Sequence, residues 1–296
     1  MTIIGGANMK KARVFLISSM IIFGTLGLFV RHVPLSSGEL ALCRAVLAAI
    51  LIGVYLVFSG SKVHFADIGK ELPLLLFSGV SMGINWIFLF EAYKYTTVSI
   101  ATLSYYFAPV LVTAVCPLLF KEKLTKRQGL CFVMSTLGVI MIIGVSGFEH
   151  SGTNLKGILF GLGAAVFYAT VILLNKFIKN VTGIHRTFLQ FIAAIMVLMP
   201  YVFATGGLHL ERLSGIGWVN LLVVGLFHTG ITYCMYFSSL KELPGQEAAI
   251  LSYIDPFVAV VISVVFLGEG ITPFQTVGGI LILGFAILNE KWRLSE

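Results

Sequence analysis

A stretch of 35 residues occurs twice in this chain, 147 residues apart. Lys94–Gln128 reads KYTTVSIATLSYYFAPVLVTAVCPLLFKEKLTKRQ, and Lys241–Gln275 reads KELPGQEAAILSYIDPFVAVVISVVFLGEGITPFQ. Without a gap, Ala101 falls on Ala248, Tyr106 on Tyr253 and Pro109 on Pro256. Glu122 then falls on Glu269, Thr125 on Thr272 and Gln128 on Gln275. Each copy is an apolar run with a proline near its middle, closed by an acidic turn. A repeat at half the chain length dictates two related halves, 1–150 and 151–296, joined as one domain.

What surrounds those halves follows from composition. Hydrophobic residues make up 58% of the chain and charged residues only 11%, against about 25% charged in soluble domains. Such a chain cannot cover a water-facing surface, so its surface faces lipid. A helix needs about 20 apolar residues to cross the hydrocarbon. Ten windows qualify: 12–31, 38–58, 72–93, 97–119, 127–145, 155–177, 183–204, 216–238, 246–268 and 273–290. Some connections are only a few residues long, so neighbouring helices run antiparallel. The expectation is an all-α membrane protein of ten transmembrane helices.

Lys and Arg placement sets the orientation. With the N-terminus inside, 15 of the 20 basic residues fall on the inner side and four (Arg31, Lys94, Lys156, Arg212) on the outer, with Arg44 inside a span. Both termini are therefore expected in the cytoplasm. This bias also accounts for the net charge of +7 without nucleic acid as a partner. Lys10, Lys11 and Arg13 precede an apolar run that no clear cleavage site follows, which reads as a retained first span.

Five helices per half is odd, so the second half inserts upside down relative to the first. Inverted repeats place a ligand site at their interface near the midplane and open it to either side in turn. Chemistry of other kinds finds little support. Cys43, Cys116, Cys131 and Cys234 lie in apolar runs without metal-ligand or redox spacing, so no metal and no cofactor is expected. No Walker sequence, GxSxG elbow or HExxH is present, so the chain does not read as an enzyme.

The run AAILSYIDPFVAVVISVVFLGEGITPFQTVGGILILGFAIL, Ala248–Leu288, its echo through Ala101, Pro109, Glu122, Thr125 and Gln128, Phe23-Gly24, Arg44 and the Ala92-Tyr-Lys-Tyr end of the third span carry a family resemblance. The chain resembles the EamA-type branch of the drug/metabolite transporter superfamily over nearly its whole length. The resemblance implies a 5+5 inverted-repeat carrier in which helices 1, 3, 4, 6, 8 and 9 surround a cavity and helices 5 and 10 lie outside them. It implies amino acids or other small metabolites as cargo, often exported. One departure is that Glu122 lies in FKEKLT, whereas Glu269 keeps LGEG.

Candidate site residues follow from depth. Pro109 and Pro256 should kink the fourth and ninth helices and loosen the carbonyls of Tyr105 and Ser252, either as packing kinks or as walls of a watery cavity. Tyr105, Tyr106 and Tyr253 lie within a turn of them. Trp86 and Phe90 on the third helix, Tyr168 on the sixth and Tyr233 on the eighth complete an aromatic wall, or else pack helices together. Asp255 sits near the bilayer centre, where insertion costs about 2.5–3.5 kcal/mol. It neutralises an amine on the cargo, carries a proton, or holds a structural hydrogen bond to backbone or to His228. His228 is either an interhelical hydrogen bonder or a sharer of that proton. Arg44 and Glu91, too deep to stay unpaired, are expected to form an outer ion pair, as a gate or as a permanent tie. Toward the inner third Lys176, Gln190 and Lys241 stand in the corresponding places, without acids as deep.

The leading expectation is a secondary carrier in a bacterial cytoplasmic membrane, moving an amino acid or amine by alternating access. Protons are a candidate coupling ion, lipid is the surrounding partner, and the state is monomer or homodimer, with helix 10 a candidate dimer face. The rivals are a receptor or assembly subunit that does not transport, and an intramembrane lipid-modifying enzyme.

Overall fold

The computed structural model describes residues 2–59, 65–120, 125–148, 153–181, 183–243 and 251–293. They form ten helical units. α1 is split at Thr25 into α1a (Thr2–Gly24) and α1b (Leu26–Val30); α2 is Ser37–Phe58 and α3 is Phe65–Tyr95. α4 is split into α4a (Val98–Tyr105) and α4b (Ala108–Phe120). α5 (Lys126–Phe148), α6 (Thr153–Phe177) and α7 (Gly183–Ala204) follow. α8 runs through Gly215–Leu222, a wide π turn at Val223–Ile231, and Thr232–Glu242. α9 is Ile254–Val265 and α10 is Pro273–Arg293.

Among the described residues, six helices are long and apolar enough to cross a membrane: Met9–Val30, Ser37–Phe58, Ile68–Tyr95, Thr153–Phe177, Gly183–Ala204 and Gly215–Ser239. The other four units are shorter apolar helices. α3 runs past its expected window of 72–93 at both ends. Its 31 residues span about 46 Å at 1.5 Å each, more than the roughly 30 Å of hydrocarbon. The extra turns carry Lys70 and Glu71, which an apolarity window excludes. The start of the window 246–268 and Glu122 lie outside the described residues.

The landmarks of the repeat turn out to be helix-start chemistry. Before α10, Thr272 Oγ1 accepts the Gln275 N–H at 3.2 Å, while Gln275 Oε1 accepts the Thr272 N–H at 2.9 Å. This is a reciprocal cap, with Pro273 at the first helical position, where its missing N–H costs nothing. α5 begins at Lys126, the residue that the repeat places on Pro273. α2 opens with a second reciprocal cap between Ser36 and Glu39.

The two halves pack as the repeat requires. α1 lies on α8 as α6 lies on α3, and α1 lies on α9 as α6 lies on α4. α2 meets α8 as α7 meets α3, while α2–α7, α4–α9 and α5–α10 each pair across the centre. Exchanging every helix with the one five places later leaves these principal pairings unchanged, the signature of a two-fold relation. Units of five alternating helices make it an inverted one. α5 and α10 form an outlying pair, whose backbones approach so closely that a Cβ on Gly138 would meet the Gly278 carbonyl oxygen at 2.6 Å.

Candidate functional site

The repeated prolines break their helices rather than kink them. α4a ends at Tyr105, Tyr106 and Phe107 turn, and α4b starts at Ala108 with Pro109 at its second position. In the other half Ser252 and Tyr253 turn, and α9 starts at Ile254 with Pro256 at its third position. A first helical turn has no intrahelical acceptors for its N–H groups, so proline fits there without loss. The break also explains how an aspartate survives at this depth. Asp255 occupies the first turn of α9, where the partial positive charge of the helix N-terminus favours a carboxylate.

Across the interface between the halves, the Tyr106 hydroxyl donates to Asp255 Oδ2 at 2.5 Å. Thus the turn of α4 is tied to the first turn of α9, each supplied by the corresponding break. Around this bond the tyrosines form a continuous wall. Tyr105 stacks on Tyr168 at 5.1 Å between ring centroids and meets Tyr106 edge-on at 5.5 Å, and Tyr106 lies 6.4 Å from Tyr253. A second series runs from Trp86 to Phe191 (5.3 Å), on to Tyr233 (5.4 Å), and from there to Phe23 (5.3 Å) and Phe237 (6.0 Å).

The expected site residues separate by exposure. Tyr105, Tyr106, Tyr168, Tyr233, Tyr253 and Asp255 are only partly buried although they stand where the two halves meet. Trp86, Phe90 and His228 are sealed, at 4%, 1% and 1% exposure. The first group offers surface to a small molecule; the second does not.

The expected ion pair between Arg44 and Glu91 does not form. Arg44 is buried, its Nε donates to Thr229 Oγ1 at 2.7 Å, and its guanidinium lies 4.8 Å from the Trp86 ring and 5.7 Å from that of Phe90. On a helix, the residue after Phe90 points about 100° away. Glu91 therefore leaves the Arg44 side and reaches Lys94 at 3.6 Å, three residues along. Nor do His228 and Asp255 share a proton by direct contact. His228 Nε2 lies 2.8 Å from Thr25 Oγ1 and Nδ1 lies 3.2 Å from the Val223 carbonyl oxygen. The π turn shapes this region. Thr229 and Thr232 hydroxyls donate to carbonyls five residues back, at 2.8 and 2.7 Å, and the widened turn aims Thr229 at Arg44. Asn85 acts as interhelical glue, donating to the Ala164 carbonyl at 2.7 Å.

Two carboxylates do work that the sequence reading did not assign. At the end of the bundle where α1b stops, outer by the charge bias, Arg31 is ion-paired with Glu269. Arg31 Nη2 also donates to the carbonyls of Tyr93 (3.2 Å) and Thr96 (2.7 Å), while Glu269 Oε2 accepts the Val98 N–H at 2.8 Å and the Ser263 hydroxyl. This cluster fastens α1b, the α3–α4 turn and the α9–α10 turn together. A cavity of about 440 Å³ beside it is lined by Arg31, Leu40, Phe90, Tyr93 and Lys94 among others. At the opposite end, buried Glu71 accepts the N–H groups of Lys179 (2.7 Å), Asn180 (2.9 Å) and Val181 (3.0 Å). The end opposite Arg31 thus has a buried acid of its own. Glu269 was visible as the acidic turn of the repeat. Glu71 stood one residue outside an apolar window, and its partners are backbone groups that no side-chain pattern reveals.

Among the described residues, no group of three or more His, Cys, Asp or Glu side chains stands where it would hold a metal ion. Comparison with known proteins agrees with the geometry. The model of a family described as the EamA-like transporter family matches residues 10–144 and again 155–289. A Bacillus subtilis protein named uncharacterized transporter YxxF is 32% identical over 281 residues, covering 94% of this chain and 89% of its own. An uncharacterized transporter of Archaeoglobus fulgidus is 23% identical, covering 96% and 97%. A solved crystal structure superposes with a TM-score of 0.66 over 96% of this chain and 99% of that one; at 16% identity the likeness is one of fold.

Proposed function

The chain belongs to the EamA-like transporter family, a multi-pass membrane transporter rather than an enzyme, and on that footing we propose that it is a secondary carrier for an amino acid or amine, exporting it across a bacterial cytoplasmic membrane by alternating access. The observation that carries this reading is the Tyr106–Asp255 bond, which joins the two helix breaks, one from each half, amid partly exposed tyrosines. Discontinuous helices that face each other at an inverted-repeat interface are where such carriers hold their cargo. A carboxylate takes an amine, and the ring faces of Tyr105, Tyr106, Tyr168, Tyr233 and Tyr253 attract its positive charge and cover its apolar part. Trp86, Phe90 and His228 support this wall from behind. Asp255 is also the group able to exchange the cargo for a proton. Residues 1–150 and 151–296 then move as two rocking units.

Reconstitution tests the reading. Purified protein in liposomes loaded with mixed amino acids and amines is expected to release a subset of them down a gradient. Asp255→Asn is expected to slow release of the amine-bearing ones at least tenfold. Specific binding with no flux under any gradient would replace the carrier with a receptor.

A further inference from the structure

Asp255 has its Tyr106 donor, and Glu39, Glu71, Glu91 and Glu269 are each held at one end of the bundle or the other. Arg44 has no such counterpart. It is 3% exposed, and no described acid lies within ion-pairing distance. Its one hydrogen bond is made by Nε, to Thr229. The two terminal nitrogens make no hydrogen bond to a described residue, and Asp255 acts on the guanidinium by charge without touching it. The guanidinium lies over the rings of Trp86 and Phe90, and the π turn of α8 holds Nε. What remains is a two-pronged donor with no described carboxylate in contact, within a span where an unmatched cation is costly.

We infer that Arg44 is the anion-recognition residue of the transport site, and that the cargo carries one carboxylate, which the terminal nitrogens of the guanidinium clasp. The inference rests on the carrier reading above and names the charge its cargo must bring. A carboxylate matches the planar fork with two parallel hydrogen bonds. A phosphate ester is disfavoured, because it brings up to two charges to a single cation. Among the other described basic residues, Arg31, Lys94 and Lys156 sit at one end of the bundle and Lys176, Lys179 and Arg186 at the other. Asp255 acts from a different element, α9 against α2, so a molecule bearing both charges has a fixed orientation between them. The rest of the cargo is apolar or aromatic, to suit the rings that line the space.

Three probes that share a phenyl ring and a two-carbon link separate the charges: 3-phenylpropionate carries the carboxylate alone, phenethylamine the amine alone, and phenylalanine both. Their binding to the full chain in lipid nanodiscs is read from the concentration dependence of thermal unfolding. The wild type is expected to bind both carboxylates. Arg44→Gln is expected to weaken them at least tenfold, about 1.4 kcal/mol, while phenethylamine, which has no carboxylate to lose, still binds saturably and so reports that the variant is folded. Arg44→Lys keeps the charge without the fork and is expected to fall between the two. The inference is overturned if neither carboxylate binds the wild type, or if both bind Arg44→Gln as tightly. Flux is measured separately. Amine transport without carboxylate binding removes Arg44 and keeps the carrier, whereas Arg44-dependent binding without any flux does the reverse.

Discussion

Arg31 and Glu269, 238 positions apart in the chain, form an ion pair at one end of the bundle, and the same carboxylate caps the first turn of α4a through the Val98 N–H at 2.8 Å. One carboxylate thereby holds two elements, α1b and the half-helix that leads to the tyrosine wall. Hydrogen bonds to charged groups contribute about 1.5–3 kcal/mol each, enough to bias a two-state equilibrium.

Glu269→Gln keeps the shape and an acceptor for Val98 but loses the charge that Arg31 needs. The expected result is faster amide hydrogen exchange in Val98–Ser104, with no change around Glu71 at the far end. Thermal stability should fall by about 1–2 kcal/mol. Unchanged exchange in α4a would mean that the cluster is not a fastening.

The Tyr106–Asp255 bond makes a second, independent claim. Tyr106→Phe removes the donor and Asp255→Asn the charge. If the bond joins the halves, the two substitutions are non-additive. A double-mutant cycle on thermal unfolding should give a coupling of about 1–3 kcal/mol. Additive losses would place the two side chains in separate roles.

Much of this arrangement was legible before any coordinates, and the reason is periodicity. The apolar windows led to ten helices, and the 147-residue offset, which requires only that two halves share their punctuation, led to the two-fold relation and to the matching turns at Tyr106 and Tyr253. Where the reading failed, the cause was local backbone detail. A proline in an apolar run looks the same whether it kinks a helix or opens a new one, so the breaks at Tyr106–Phe107 and Ser252–Tyr253 read as bends. The π turn at Val223–Ile231 leaves no mark on hydropathy, yet it turns Thr229 toward Arg44 and so decides that residue's partner. The pairing of Arg44 with Glu91 was inferred from depth alone, and depth does not say which way a helix face points. Glu71 was passed over because its ligands are three backbone N–H groups.

Two glycines separate packing from function. A Cβ on Gly24 would lie 2.6 Å from Val258 Cβ and 2.7 Å from the Asp255 carbonyl oxygen; one on Gly138 would lie 2.6 Å from the Gly278 carbonyl oxygen. Alanine at either position forces backbones apart, at about 1–3 kcal/mol. Gly24→Ala displaces the helix that presents Asp255, so it should also abolish probe binding. Gly138→Ala disturbs only the outlying α5–α10 pair and should leave probe affinity within about twofold of wild type. Equal losses of affinity in both would argue that α5 and α10 take part in the site.

Glu71 allows the orientation of the bundle to be tested together with its stability. The carboxylate gathers the N–H groups of Lys179, Asn180 and Val181 and so holds the α6–α7 turn against α3. Lys179 itself is exposed, but trypsin needs the turn to open before it can cleave after it. Glu71→Ala leaves these donors without their acceptor, an expected loss of about 1–3 kcal/mol. When opening is fast relative to cleavage, the cleavage rate follows the open population, so each 1.4 kcal/mol gives about a tenfold faster cut. The positive-inside bias places this turn in the cytoplasm. Cleavage after Lys179, identified by fragment mass, should therefore occur in inside-out vesicles, about five- to 150-fold faster in Glu71→Ala. In right-side-out vesicles it should be absent from both proteins. Cleavage in right-side-out vesicles would invert the topology, and with it the direction assigned to every element of the site. Equal rates in inside-out vesicles would remove Glu71 as the holder of the turn.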